Sequence, residues 1–189
     1  MPRPTSSIVY ILAAAVAFSG AGACSTYRES SGESARPGYR ESRAEQAVAA
    51  FRAADPTISR FFDNSYGYAI FPVVTKGGAG IGAAHGKDAV VYEQGRVVGF
   101  AELTQVTLGA QLGGQDFREI VFFQDKAALD LFKRNELQFS ANASAVAASS
   151  GSAASADYAS GVAVFTLPIG GLMFEASIGG QKFAFTSKE

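Results

Sequence analysis

From Tyr66 to the C-terminus the chain is a succession of aromatic and β-branched runs broken by glycine, and this pattern limits the fold more than any other feature. The runs are YGYAIFPVVT, AVVYEQGRVVGFAEL, TQVTLGAQLGG, FREIVFF, VAVFTL, LMFEASI and QKFAFT. Each has the composition of a short strand. Glycine contributes 21 of the 189 residues, which favours tight turns, bulges and close backbone approach over long helices. Pro72 marks an edge or a bend. Glu93-Gln94-Gly95 reads as the turn of a hairpin. Leu112-Gly113-Gly114-Gln115-Asp116-Phe117 recurs as Ile178-Gly179-Gly180-Gln181-Lys182-Phe183. Each copy lies between two expected strands and reads as a tight hairpin.

Helical spacing is confined to short stretches. Structure is expected to start near Ala44, where Ala47, Val48, Phe51 and Ala54 recur at helical intervals. Asp55-Pro56 has the pattern of an N-cap followed by proline in the first turn, opening a second short helix to about Phe62 with Ile58, Phe61 and Phe62 on one side. A third helix is expected over Asp125 to Leu137, with Ala128, Leu131 and Phe132 on one face and Leu129 beside it. Ser140 to Ser160 is small and polar, partly loop. The expected class is α+β: an antiparallel, barrel-like or strongly twisted β-sheet packed with a few short helices.

Composition removes several functions. An apolar content of 48% supports a core, and the length allows one domain or at most two small ones. A net charge of −1 gives no basic field for nucleic acid. With one Cys and one His the chain has neither an internal disulfide nor a Cys/His zinc site, so no metal or cofactor is expected. His85 lacks an evident nucleophile to serve, and no G-x-S-x-G elbow occurs. Glu102, Glu119 and Glu175 sit in apolar strand contexts, where alternation places them by default on the outer face. No catalytic residues are assigned, and the chain is not expected to be an enzyme.

The N-terminus reads as targeting sequence. Arg3 gives a short positive region, and Ile8 to Phe18 is an uncharged run of 11 residues. A spanning helix needs about 20, so this run suits a signal peptide. Ala21-Gly22-Ala23-Cys24 resembles a bacterial lipobox, with Ala21 where the usual pattern has Leu. That resemblance implies cleavage before Cys24, the only cysteine, and a diacylglycerol on its sulfur. The alternative is an ordinary signal peptide cut at the same place, leaving a free thiol. Two or more acyl chains hold firmly without help from the protein. Ser25 after the cysteine leans towards the outer membrane. Residues 1–23 are thus read as signal peptide, and 24–43, rich in Ser, Arg, Glu and Gly, as lipidated N-terminus and flexible tether. Residues 44–189 are read as the domain.

Within the domain, Lys76 to Lys87 is glycine-rich. It reads as a strand or hairpin crossing close to another backbone, or as an anion cradle. It is not a Walker A loop, because Ile81 and Asp88 break the pattern. Lys76, Lys87, Arg96, Arg118 and Lys182 are the candidate cations for anionic head groups. Phe51, Phe61 and Phe62 offer either core packing or a membrane-facing amphipathic surface.

The stretches GYAIFPVVTKGGAGIGAAHGKDAVVYEQG, GFAELTQVTLGAQLGGQDFREIVFF and GVAVFTLPIGGLMFEASIGGQKFAF together resemble the SYLF domain family, in the family's order and over roughly Ala44 to the end. The resemblance implies a single α+β domain whose eukaryotic members bind phosphoinositides, and some of whose fungal members bind actin. Bacterial members are commonly short secreted or lipid-anchored proteins. The actin activity is not carried over to a chain that begins with a bacterial export signal. The function expected is that of a lipid-anchored envelope protein whose domain binds membrane phospholipids without catalysis. The alternative is a structural or protein-interaction module of the envelope with no lipid site.

Overall fold

The computed structural model describes residues 38–139, 145–147 and 149–188, so the expected signal peptide, Cys24 and most of the expected tether lie outside the described residues. Three strands dominate: β1 (Gly67–Glu93), β2 (Arg96–Phe123) and β5 (Val162–Ser187), of 27, 28 and 26 residues. Two short strands, β3 (Gln138–Phe139) and β4 (Ala145–Ala147), flank β5. The order is β1-β2-β5-β3, antiparallel throughout, while β4 runs parallel to β5. The helices are α1 (Tyr39–Ala54), α2 (Ser59–Asn64) and α3 (Lys126–Lys133). The class is α+β, as expected, and the sheet is not closed into a barrel.

A straight strand of this length would run to about 90 Å, whereas a 150-residue domain has a radius of gyration of only about 15 Å. The three strands therefore fold over together. The bend lies at Gly78–Gly82 in β1, where the register with β2 jumps from Ala79↔Leu112 to Ile81↔Leu108. β1 skips one residue there and β2 three, so β1 takes the inside of the bend. A Cβ on Gly78 would lie 2.5 Å from both the Ile81 carbonyl oxygen and the Gly82 Cα. Only glycine allows backbones so close. Gln111 fills the inside of the bend. Its Nε2 donates to the carbonyls of Gly80 (3.2 Å) and Thr107 (3.1 Å), and its Oε1 accepts from Thr107 Oγ1 (2.8 Å). A Cβ on Gly82 would meet Gln111 Oε1 at 2.3 Å.

The fold-over makes two layers from one sheet. The inner face carries Phe71, Leu103, Val121, Phe123, Val164 and Phe183, all buried. The rings of Phe71 and Phe183, from opposite layers, sit 5.8 Å apart. α3 plugs the mouth opposite the bend, with Phe132 5.0 Å from both Phe123 and Phe183. A second cluster lies outside the sheet, where Ala44, Ala47, Phe51 and Phe61 of α1 and α2 cover Ile70, Ile120, Phe122 and Phe165.

Several expectations change. The glycine pairs at 113–114 and 179–180 lie inside continuous strands and are not hairpin turns. The ladder between β2 and β5 runs through both without interruption. Among the described residues, the turn at Gln94-Gly95 is the tight hairpin, joining β1 to β2. The run at 76–87 is the strand with close backbone approach. α1 begins at Tyr39 rather than near Ala44, because its first turn has partners. Arg40 Nε is 2.9 Å from Asp88 Oδ1, and Glu41 Oε1 is 3.0 Å from Lys188 Nζ. α3 ends at Lys133, and it buries Ala128, Leu129 and Phe132 while Leu131 is exposed.

Two buried carboxylates behave oppositely. Asp55 caps the turn after α1 by accepting from Thr57 N, and also accepts from Gly151 N, Ser152 Oγ and Ala153 N (2.7–3.1 Å), tying that corner to the 151–153 turn. Burial alone would raise its pKa, but these hydrogen bonds outweigh it and hold the carboxyl well below the usual range. Glu119 was expected on the outer face and is instead sealed between the layers at 1% exposure. Its burial pushes the pKa up to about 8, against the opposing pull of the Gln181 amide at 2.7 Å and the charge of Lys76.

Stability should therefore fall at both ends of the pH scale for separate reasons. Asp55 contributes above its unfolded pKa of about 3.9, and that contribution is lost as pH drops below it. Glu119 binds its proton more tightly folded than unfolded, so stability declines as pH rises from about 4.5 through about 8. Urea unfolding across pH 3–9 should show the acid limb flattened in Asp55→Asn and the alkaline decline absent in Glu119→Gln. At the bend, Gly78→Ala should cost roughly 2–3 kcal/mol through overpacking. Gly170→Ala, where a Cβ meets nothing within 4 Å, should stay within about 0.5 kcal/mol in the same assay.

Candidate functional site

The outer face of the second layer carries the most concentrated set of surface features. Register orders it in rows away from the bend: Ile81 beside Leu108, then Ala83, Val106 and Gly180, then His85, Thr104 and Lys182, then Glu102 and Ala184 with Lys87 nearby. Alternation along each strand turns these residues outwards while Ala84, Leu103 and Phe183 turn in.

The first turn of α1 leans over the far end of this face. With β1 and β2 it forms a cleft of about 750 Å³ lined by Arg40, Arg43, His85, Lys87, Asp88 and Glu102, with Thr75 and Thr104 supplying hydroxyls. The Arg40 guanidinium lies 4.6 Å above the Phe100 ring and pairs with Asp88, a charge contact rather than a well-aligned hydrogen bond. Arg43 lies 5.7 Å over the ring of Tyr39. Among the described residues Lys87 makes no ion pair. Three fixed cations face two carboxylates here, so the cleft is positive overall. Its donors suit a phosphate or carboxylate oxygen through charge-assisted hydrogen bonds.

The expected cations do not form one patch. Lys87 and Lys182 share this face. Lys76 is 5% exposed and lies between the layers, near enough for its charge to act on Glu119, so it is not a surface cation. The alternation that turns Val74 inwards continues up to the bend and carries Lys76 with it. Arg96 sits at the hairpin turn opposite Glu93, at the other end of the molecule, and Arg118 is on the first layer. Phe51 and Phe61 are core residues, Phe61 stacked 5.4 Å from Phe122 and edge-on to Phe165 at 4.9 Å, so neither offers a ring to a membrane. Phe62 is half-buried, edge-on to Phe122 and covered by Arg52 at 4.3 Å. Glu102 is exposed, as alternation implies, and the side chain of Glu175 lies outside the described residues.

The residues that sequence reasoning missed are Arg40 and Arg43, assigned to the tether. The signal was present: Arg40 and Arg43 precede Ala44, Ala47 and Phe51 at intervals of three and four, and Pro37-Gly38 stands immediately before the helix.

Residues 104–189, which hold most of β2 and all of β5, match the family model described as "Ysc84: Las17-binding protein actin regulator". The protein named Beta cell expansion factor A, from Aeromonas veronii, is 27% identical over 135 residues, covering 68% of this chain and 49% of that protein. The chain thus spans about half the length of this curated relative. The C-terminal part of the folded-over sheet, residues 104–189, thus matches the SYLF, or Ysc84-type, domain family.

Proposed function

We propose that this is a lipid-anchored bacterial envelope protein whose SYLF domain binds phospholipid head groups, without catalysis, through the cleft on the second layer. The observation that supports it is the convergence of Arg40, Arg43, Lys87 and Lys182 on one face from three separate elements. Each cation close to an anionic leaflet is worth about 1 kcal/mol, and the cleft is wide enough for a head group. Attachment rests on the lipobox-like Ala21-Gly22-Ala23-Cys24, and Ser25 favours the outer membrane, facing the periplasm. On this reading the anchor sets where the domain works, and the cleft sets what it touches.

The unacylated Cys24→Ser protein should co-sediment at low salt with vesicles containing phosphatidylglycerol, and less with phosphatidylcholine alone. The double reversal Arg43→Glu with Lys87→Glu should weaken that binding by at least about tenfold. Failure of the Cys24→Ser protein to bind anionic vesicles at low salt would sink the proposal. Intact-mass measurement on the protein taken from its own membrane should show a diacylglyceryl adduct on Cys24. A bare thiol there would leave simple cleavage as the processing route.

A further inference from the structure

The bent end of the sheet is built inside out relative to a water-facing strand. Along β2 the residues turned inwards are Gln105, Thr107 and Gln111, at 3%, 0% and 4% exposure. Those turned outwards are Val106, Leu108 and Leu112, at 55%, 60% and 69%. Ile81, paired with Leu108 in register, is 66% exposed. A surface strand in water buries its aliphatic positions and wets its polar ones. Here the polar side chains are consumed in closing the bend, so the aliphatic ones have nowhere to face but out. Residues 77–82 and 105–114 contain no charged residue.

Two observations identify what covers this surface. It is continuous with the basic cleft: Ile81 and His85 are four residues apart on one strand, a separation of about 13 Å. An interfacial element sinks its apolar side about 5–10 Å below the head groups. Aliphatic side chains at the bend and cations one to two rows behind it therefore match the two depths of a leaflet. The chain also leaves the domain on this side. Arg40, in the first turn of α1, is part of the cleft wall, and Cys24 is 15 residues before Tyr39. A segment of that length reaches at most about 50 Å, so an anchor on Cys24 holds this face near the bilayer.

We infer that the glycine-rich bend inserts its aliphatic side chains among the acyl chains of a bilayer while the cleft engages the head groups. The inference rests on the phospholipid-binding reading and adds a second, apolar contact to it. Exposure of Leu108 and Leu112 is then a working feature, and the glycines keep the inserted edge thin.

The chain has no tryptophan, so a single substitution reports from one place. In the Cys24→Ser protein, Leu108→Trp is compared with Gln94→Trp at the far hairpin turn, each mixed with vesicles of phosphatidylethanolamine and phosphatidylglycerol. The Leu108→Trp emission should move to the blue and be quenched roughly twofold or more by lipids brominated at shallow acyl positions. The Gln94→Trp emission should not respond. Unchanged Leu108→Trp emission in a protein that still pellets with vesicles overturns the insertion and leaves head-group binding standing. Absence of pelleting removes both. A blue shift that needs no vesicles, grows with protein concentration and accompanies a dimer mass in sedimentation assigns the face to a second copy of the chain, and also overturns insertion.

Discussion

Strand length is the constraint from which the rest of this structure follows. Three adjacent strands of 26 to 28 residues cannot lie straight in a domain of this size, and their ladders are too continuous to break. Folding the whole sheet over is the remaining solution. It buries the two halves against each other, with α3 stopping one end and the bend closing the other. Gly78 and Gly82 make the bend sterically possible, and Gln111, held by the Thr107 hydroxyl, donates to the Gly80 and Thr107 carbonyls where the ladder skips. A buried polar group costs about 1–3 kcal/mol when left unpaired, so this side-chain set is part of the fold and not a decoration on it.

The same geometry explains the polar lining between the layers near the bend. Phe71, Leu103 and Phe183 fill the interior towards α3, while Lys76, Gln105, Glu119 and Gln181 occupy it towards the bend. Glu119 holds its proton there because the site is sealed from water. Asp55, equally buried, stays ionised because backbone donors from two segments point at it. Burial has the same sign at both sites, and the number of donors decides the outcome.

Functionally, the bend divides the outer surface into zones of different chemistry. Nearest the bend the second layer is aliphatic. Farther along it carries hydroxyls, then cations supplied jointly by β1, β5 and the first turn of α1. On the first layer the helices cover Ile70, Ile120, Phe122 and Phe165. A basic cleft with an apolar edge beside it is thus a by-product of how the sheet folds.

Much of this was legible in the amino-acid order. Period-two runs of aromatic and β-branched residues dictated strands, Asp55-Pro56 dictated the short second helix, Gln94-Gly95 dictated a hairpin, and the long ordered resemblance indicated the family. Glycine pairs were misread as turns because a bend inside a strand and a turn between strands demand the same residue. Lys76 and Lys87 look alike as lysines in one glycine-rich run, and only the fold-over sends one between the layers and the other into the cleft. Arg40 and Arg43 become part of the site because Asp88, far away in sequence, gives the first turn of α1 a partner. Local sequence sets backbone preference and side-chain alternation, since both act over a few residues. Which face is buried, and which cations meet, depends on contacts between segments dozens of residues apart, and those exist only once the sheet has folded over.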